Sequence, residues 1–132
     1  MTEPRTQHRI VRNRKKNSAP LSALRTSDAV KTVVNHPRRL QELLRMLEDK
    51  DLRVRGRAAV ALAQLSDCHP ARLVRVAARL KDALGDDSAY VRWHLLYTLG
   101  KVGAKFPNPI RAFLPAVVSH LEDENRICRV MA

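Results

Sequence analysis

Three nine-residue segments of this chain repeat at a fixed spacing: Leu47-Glu48-Asp49-Lys50-Asp51-Leu52-Arg53-Val54-Arg55, Leu84-Gly85-Asp86-Asp87-Ser88-Ala89-Tyr90-Val91-Arg92 and Leu121-Glu122-Asp123-Glu124-Asn125-Arg126-Ile127-Cys128-Arg129. Their leading leucines stand 37 residues apart both times. Each is followed by an Asp at two positions, a small apolar residue at seven and an Arg at eight. Self-similarity at a fixed period marks one supersecondary unit used repeatedly, whose apolar face is buried only by stacking on its neighbours. Only 4 glycines and 5 aromatics stand among abundant Ala, Leu, Val and Arg, a helix-forming vocabulary that excludes a β-sandwich.

Each unit reads as two antiparallel helices. Pro37, Pro70 and Pro109 suit the first helical turn, where a missing N–H costs little. In the first unit the helix then runs through Leu40, Leu43 and Leu44 to Leu47. The acidic turns Asp49-Lys50-Asp51 and Asp86-Asp87-Ser88 offer N-cap oxygens to a second helix. That helix carries Val54, Ala58, Leu62 and Leu65 in one unit and Val91, Leu95, Leu99 and Val102 in the next, spacings that fall on one helical face. Ahead of the repeats, Thr26-Ser27-Asp28 offers capping chemistry to a short helix with Ala29, Val30, Val33 and Val34, stopped by Asn35-His36-Pro37. The expected organisation is a flexible arm over 1–20, a short cap over 21–36, and repeats over 37–69, 70–108 and 109–132, the last incomplete. Its exposed end is expected to dock on another chain or to continue into a longer array.

The pattern Leu-x-Asp-x-Asp-x-x-Val-Arg, followed by an Ala/Leu-rich helix, resembles HEAT repeats and their short relatives of the phycobilisome-lyase type. Leu114-Pro115-Ala116-Val117-Val118-Ser119-His120-Leu121 is similar to a first HEAT helix with its internal proline. The resemblance covers about residues 37–132 and implies an all-α fold, a short right-handed α-solenoid of about two and a half helical hairpins. It further implies a ladder between neighbouring units made by Asp49, Arg55, Asp86, Arg92, Asp123 and Arg129. Such scaffolds host many roles, so the resemblance leaves function open.

Charge adds a second constraint. The chain carries 25 Lys+Arg against 13 Asp+Glu, a net +12. Residues 1–40 hold 10 basic and 2 acidic side chains, and residues 41–132 hold 15 and 11. In the arm, Arg9, Arg12, Arg14, Lys15 and Lys16 could neutralise phosphates, or serve as a solubilising tail or part of a nuclear-import signal. The N-terminus lacks both the apolar core of a secretory signal and the amphipathic stripe of a transit peptide, and no run approaches a membrane span. Cys68 and Cys128 read as reduced thiols, which suits a cytoplasmic setting, or a nuclear one in a nucleated organism.

Catalytic and metal chemistry find little support in the sequence. Cys68-His69 stands alone, with His8, His36, His94 and His120 scattered, so zinc-ligand spacing is missing; no cofactor is implied. No nucleophile elbow or phosphate loop occurs. The outward positions of the second helices are read as free of Asp and Glu, which argues against the carboxylate that a HEAT-like DNA glycosylase needs. The expected function is a non-catalytic scaffold that binds a protein partner through the concave face of its second helices. Nucleic-acid or ribonucleoprotein binding through the arm and the inner face is the alternative.

The helical wheel points to the binding strip. With Val91 at zero and about 100° per residue, Leu95, Leu99 and Val102 fall at about 40°, 80° and 20°. Tyr90, Tyr97 and Trp93 fall at about −100°, −120° and −160°, flanked by His94 and Lys101 near −60° and −80°. One repeat earlier, the equivalents of Tyr90, His94, Tyr97 and Lys101 are Arg53, Arg57, Val60 and Gln64. An aromatic strip rimmed by Arg53, Arg57 and Lys101 has the composition of an interaction hot spot, unless a neighbouring helix covers its rings.

Overall fold

The computed structural model describes residues 19–132. The arm cations Arg9, Arg12, Arg14, Lys15 and Lys16 lie outside the described residues, as does His8. Among those described, every regular element is helical. A 3-10 turn at Leu21–Ala23 leads to α1 (Thr26–Asn35). A second 3-10 turn, Pro37–Arg39, opens α2 (Leu40–Met46), which is followed by α3 (Leu52–Cys68). The next unit runs through a 3-10 stretch Pro70–Val76, α4 (Ala77–Asp82), the turn Ala83–Gly85 and α5 (Ala89–Lys105). The last holds α6 (Pro107–Arg111), α7 (Leu114–Val118), the turn Ser119–Glu122 and α8 (Arg126–Met131). The second helices form a row, α1 on α3, α3 on α5 and α5 on α8, with the broken first helices packed along it.

The units join at one repeated corner. His36, His69 and Phe106 share a backbone conformation, with φ between −138° and −132° and ψ between 59° and 79°. Each donates its N–H to the carbonyl four residues back (Thr32, Leu65 and Val102) at 2.7–2.8 Å, and each is followed by proline. The helix after the third corner, α6, therefore opens at Pro107, two residues ahead of Pro109. The corner is fixed by the residue before proline, which is pushed out of the helical region, and Phe106 occupies it where the earlier units carry His. α1 also starts differently from the sequence expectation. Thr26, Ser27 and Asp28 lie inside its first turn, after an extended Arg25 that makes no side-chain cap bond. Asp28 instead places a carboxylate near the positive end of the helix dipole.

The second-helix face is the core. Val91, Leu95 and Val102 are fully buried, and so are Ala58, Leu62 and Leu65 one unit earlier, each Leu contributing about 1.5–3 kcal/mol by leaving water. The anchors Leu47 and Leu84 are 7% and 3% exposed, but Leu121 is 52% exposed. The last unit buries Ile110 and Cys128 and leaves Leu114, Val118, Ile127 and Val130 open.

Each inter-helix turn is built the same way. Asp49, Asp86 and Asp123 accept the backbone N–H two residues on (Asp51, Ser88 and Asn125) at 2.8–2.9 Å. Asp51 and Asn125 also cap α3 and α8 through their side chains, whereas Ser88 makes no such bond to α5. Arg55, Arg92 and Arg129 each clamp two carbonyls of their own turn through Nη1. Arg55 then reaches Asp86 at 2.9 Å, and Arg92 grips Asp123 twice at 3.0 Å. The Arg92 bonds, helped by those from Asn125 and His120, hold the Asp123 carboxyl well below the usual carboxylate range.

Candidate functional site

The second-helix row carries a groove of about 370 Å³, lined by Thr26, Leu52, Arg53, Gly56, Arg57, Val60, Ser88 and Tyr90. It lies along α3, between the start of α1 and the start of α5. Gly56 lets it form: the Tyr90 ring lies against it, so that a Cβ there would sit 3.4 Å from Tyr90 Cδ1 and Cε1. In the 37-residue register Gly56 corresponds to Trp93. A large side chain at that point would fill the slot.

The walls are apolar and the rim is cationic. Leu52 is 49% exposed and Tyr90 51%. The Arg53 side chain is 88% exposed and leans on Asp51 at 3.3 Å, a contact that contributes little in water. Arg57 donates to the Ser22 carbonyl at 2.9 Å, tying the groove to the 3-10 turn ahead of α1. The Asp51 carboxyl is drawn below its ordinary range by the Arg53 N–H it accepts at the N-cap and by the Arg53 guanidinium.

Behind Tyr90 the aromatic strip closes on itself. Trp93 stacks on His94 with ring centroids 3.5 Å apart, and Tyr90 meets Trp93 edge-on at 5.9 Å. Trp93 is half-buried against the core. His94 was expected on the open strip, and it is buried at 7% exposure instead. Its position near −60° falls at the margin of the core arc, and the two flanking rings cover it. Its Nδ1 pairs with the Tyr90 carbonyl at 2.7 Å, and burial pushes the imidazole pKa down against the raising effect of that bond.

Tyr97 and Lys101 form a separate cluster farther along α5. The Tyr97 hydroxyl donates to Asp67 Oδ1 at 2.6 Å, which raises the phenol pKa; Lys101 Nζ stands 3.7 Å from the same oxygen and 5.4 Å from the Tyr97 ring centroid. Asp67 corrects the expectation that the outward second-helix positions lack acids. It is exposed near the end of α3, and the repeat alignment passed over it because it belongs to no shared motif. The structure thus brings Arg53, Arg57 and Tyr90 into one groove, sets Tyr97 and Lys101 apart from it, and removes His94 from the surface. Leu52, Gly56, Thr26 and Ser88 were missed as lining residues, whereas Val60 had been placed on the strip. The Gly56–Trp93 mismatch in the repeat was the available signal for them.

Among the described residues no group of three or more His, Cys, Asp or Glu is placed to hold a metal ion, and no helix is long and apolar enough to cross a membrane. Cys68 is exposed and Cys128 buried, both as free thiols. The family described as non-SMC mitotic condensation complex subunit 1 matches residues 21–131. No curated protein and no solved structure matches the chain.

Proposed function

As a member of the family of non-SMC mitotic condensation complex subunit 1, a HEAT-repeat-type helical family to which this chain belongs, the protein is, we propose, a non-catalytic scaffold whose concave second-helix face holds another protein of a mitotic condensation complex. The observation that carries this reading is the groove over Gly56, where Arg53, Arg57 and Tyr90 converge on an open apolar slot beside Leu52. Tyr and Arg around a slot that excludes water are the residues in which interface energy concentrates. The guanidinium rim suits an acidic segment, and the slot suits one apolar side chain within it. The Asp49, Asp86 and Asp123 side chains are engaged in turns, and Asp67 in its bond to Tyr97, which supports a structural rather than a catalytic use of these acids. The family name supports a chromosomal setting over a purely cytoplasmic one. The unit boundaries we propose are a cap over 21–36 and repeats opening at Pro37, Pro70 and Pro107. The finer likeness to phycobilisome-lyase-type repeats rests on the Leu-x-Asp-x-Asp-x-x-Val-Arg pattern and the Ala/Leu-rich helix after it.

Nucleic-acid binding is the second reading, favoured by the net +12 charge and the 10 basic residues within 1–40. Within the groove it has less support, because only Arg53 and Arg57 supply positive charge to a slot walled by Leu52 and Val60. Two experiments separate the readings. In co-purification from mitotic cells, Arg53→Glu/Arg57→Glu is expected to lower recovery of the complex's other subunits at least tenfold, corresponding to about 1.4 kcal/mol. Undiminished recovery overturns the groove assignment. On a polyanion column at about 0.15 M salt, retention that vanishes when residues 1–20 are removed assigns phosphate binding to the arm alone.

A further inference from the structure

The two arginines on the groove rim spend their guanidiniums differently. Both are exposed and both stand on α3, one turn apart. Arg53 has turned its Nε–Nη2 edge back on Asp51: Nε lies 3.4 Å from Oδ1 and Nη2 3.3 Å from Oδ2. Arg57 uses only Nη1, which donates to the Ser22 carbonyl at 2.9 Å. Its Nε and Nη2 carry no hydrogen bond among the described residues.

The ladder of the same chain shows what such an edge takes. Arg92 holds the Asp86 and Asp87 carbonyls through Nη1, and it grips the Asp123 carboxylate through Nε and Nη2 at 3.0 Å each. Arg55 likewise anchors on carbonyls through Nη1 and gives Nε to Asp86. Arg57 is therefore fixed as Arg92 is, to backbone on one side, with the carboxylate-binding edge left over. Two parallel N–H donors match the two oxygens of a carboxylate, and charge makes such bonds about twice as strong as neutral ones.

The carbonyl that holds Arg57 is itself held. The Ala19 carbonyl accepts from Arg39 Nη2 at 2.6 Å, the Leu21 N–H donates to Glu42 Oε1 at 2.8 Å, and the Leu21 side chain is buried. Arg39 and Glu42 are paired in turn at 2.9 Å. Residues 19–22 are thus strapped to the first hairpin by side chains that do not line the groove. A guanidinium already fixed on backbone loses less freedom when a ligand arrives.

We propose that Arg57 is the specificity-determining residue of the groove. Its Nε–Nη2 edge takes one carboxylate of the partner segment side-on, and Glu42 positions it from outside the groove through the strap at 19–22. Arg53 supplies charge around the site, because a partner carboxylate has to displace Asp51 from its edge. The assignment rests on the reading of the groove as a protein-binding site.

Fluorescence polarisation on the full chain tests this with two dye-labelled synthetic peptides. One carries a central Leu flanked by Asp and Glu, and the other the same Leu flanked by Asn and Gln. The wild type is expected to bind the acidic peptide about tenfold more tightly. Arg57→Lys keeps the charge without the fork and is expected to erase most of that preference, whereas Arg53→Lys is expected to lower it about twofold. Glu42→Ala is expected to weaken acidic-peptide binding about threefold, and to add nothing once Arg57→Ala is present, as coupled positions do. Circular dichroism checks that each variant is folded; the arginine comparison uses exposed positions and does not depend on the folding of Glu42→Ala. Equal losses for Arg53→Lys and Arg57→Lys, or a Glu42→Ala effect that persists undiminished beside Arg57→Ala, overturn the proposal and leave the groove reading in place. So does equal binding of both peptides by the wild type. A wild type that binds neither peptide overturns the groove reading, and the assignment with it.

Discussion

Replacing Arg92 with Ala removes the most heavily used side chain in the ladder. Its guanidinium donates to Asp123 Oδ1 and Oδ2, each at 3.0 Å, and to the Asp86 and Asp87 carbonyls at 3.0 and 2.9 Å. The two side chains are 15% and 6% exposed, so the truncation leaves a nearly buried carboxylate without its counter-charge. Breaking such a pair costs about 3–5 kcal/mol. Asp123 keeps bonds from the Asn125 N–H and from His120 Nδ1, which places the expected loss at the low end, about 3 kcal/mol. For a domain of this size that is a drop in melting temperature of about 10–20 °C. Urea unfolding followed by circular dichroism measures it, with Arg129→Ala as the comparison. Arg129 holds only its own turn carbonyls and is exposed, so its loss is expected to cost about 1 kcal/mol or less. A loss at Arg92 below about 1 kcal/mol, or equal to that at Arg129, refutes the claim that the ladder fastens the units. The pH dependence gives a second readout. Because the Asp123 pKa is lowered in the folded state, its contribution is complete above the unfolded carboxyl value of about 3.9 and is lost as pH falls below it. The wild type is therefore expected to lose more stability below that pH than Arg92→Ala does.

Gly100 lies inside α5, exposed, with nothing within 4 Å of a Cβ built there. Gly100→Ala is therefore expected to raise stability by about 0.5–1 kcal/mol through helix propensity, and an unchanged or lowered urea midpoint contradicts this. Burial disfavours the charged form of His94, so the unfolded chain takes up a proton first as pH falls through about 6.5 and stability declines from there. NMR titration is expected to place the His94 ring below that value, and a midpoint at or above it contradicts the packing of Trp93 over the ring.

What the sequence made legible follows from where its signals lie. The 37-residue period and the apolar faces at Val91, Leu95, Leu99 and Val102 report directly on packing, and they carried the helical stack. Pro109 was read as the opener of the helix that follows Phe106, whereas α6 starts two residues earlier, at Pro107. The corner geometry at Phe106 decides between them, and it is visible only as backbone angles. The groove was half legible. A wheel gives the direction of Tyr90, Arg53 and Arg57, but not the absence of a side chain at Gly56 that lets Tyr90 lie across to α3. His94 escaped because a wheel treats each residue alone, whereas its burial comes from the rings of Tyr90 and Trp93. Asp67 meets Tyr97 across two helices at a separation of 30 residues, which is not the repeat period.

The central claim is that the groove over Gly56 receives an acidic segment of another protein of the complex. Photo-crosslinking from Val60, which lines the groove, tests it most directly when paired with crosslinking from the exposed Ala78 on α4. In the assembled complex, Val60 is expected to capture a segment rich in Asp or Glu with an apolar residue at the crosslink, and Ala78 is expected to capture none. Crosslinks from Ala78 with none from Val60, in a complex that remains intact, contradict it.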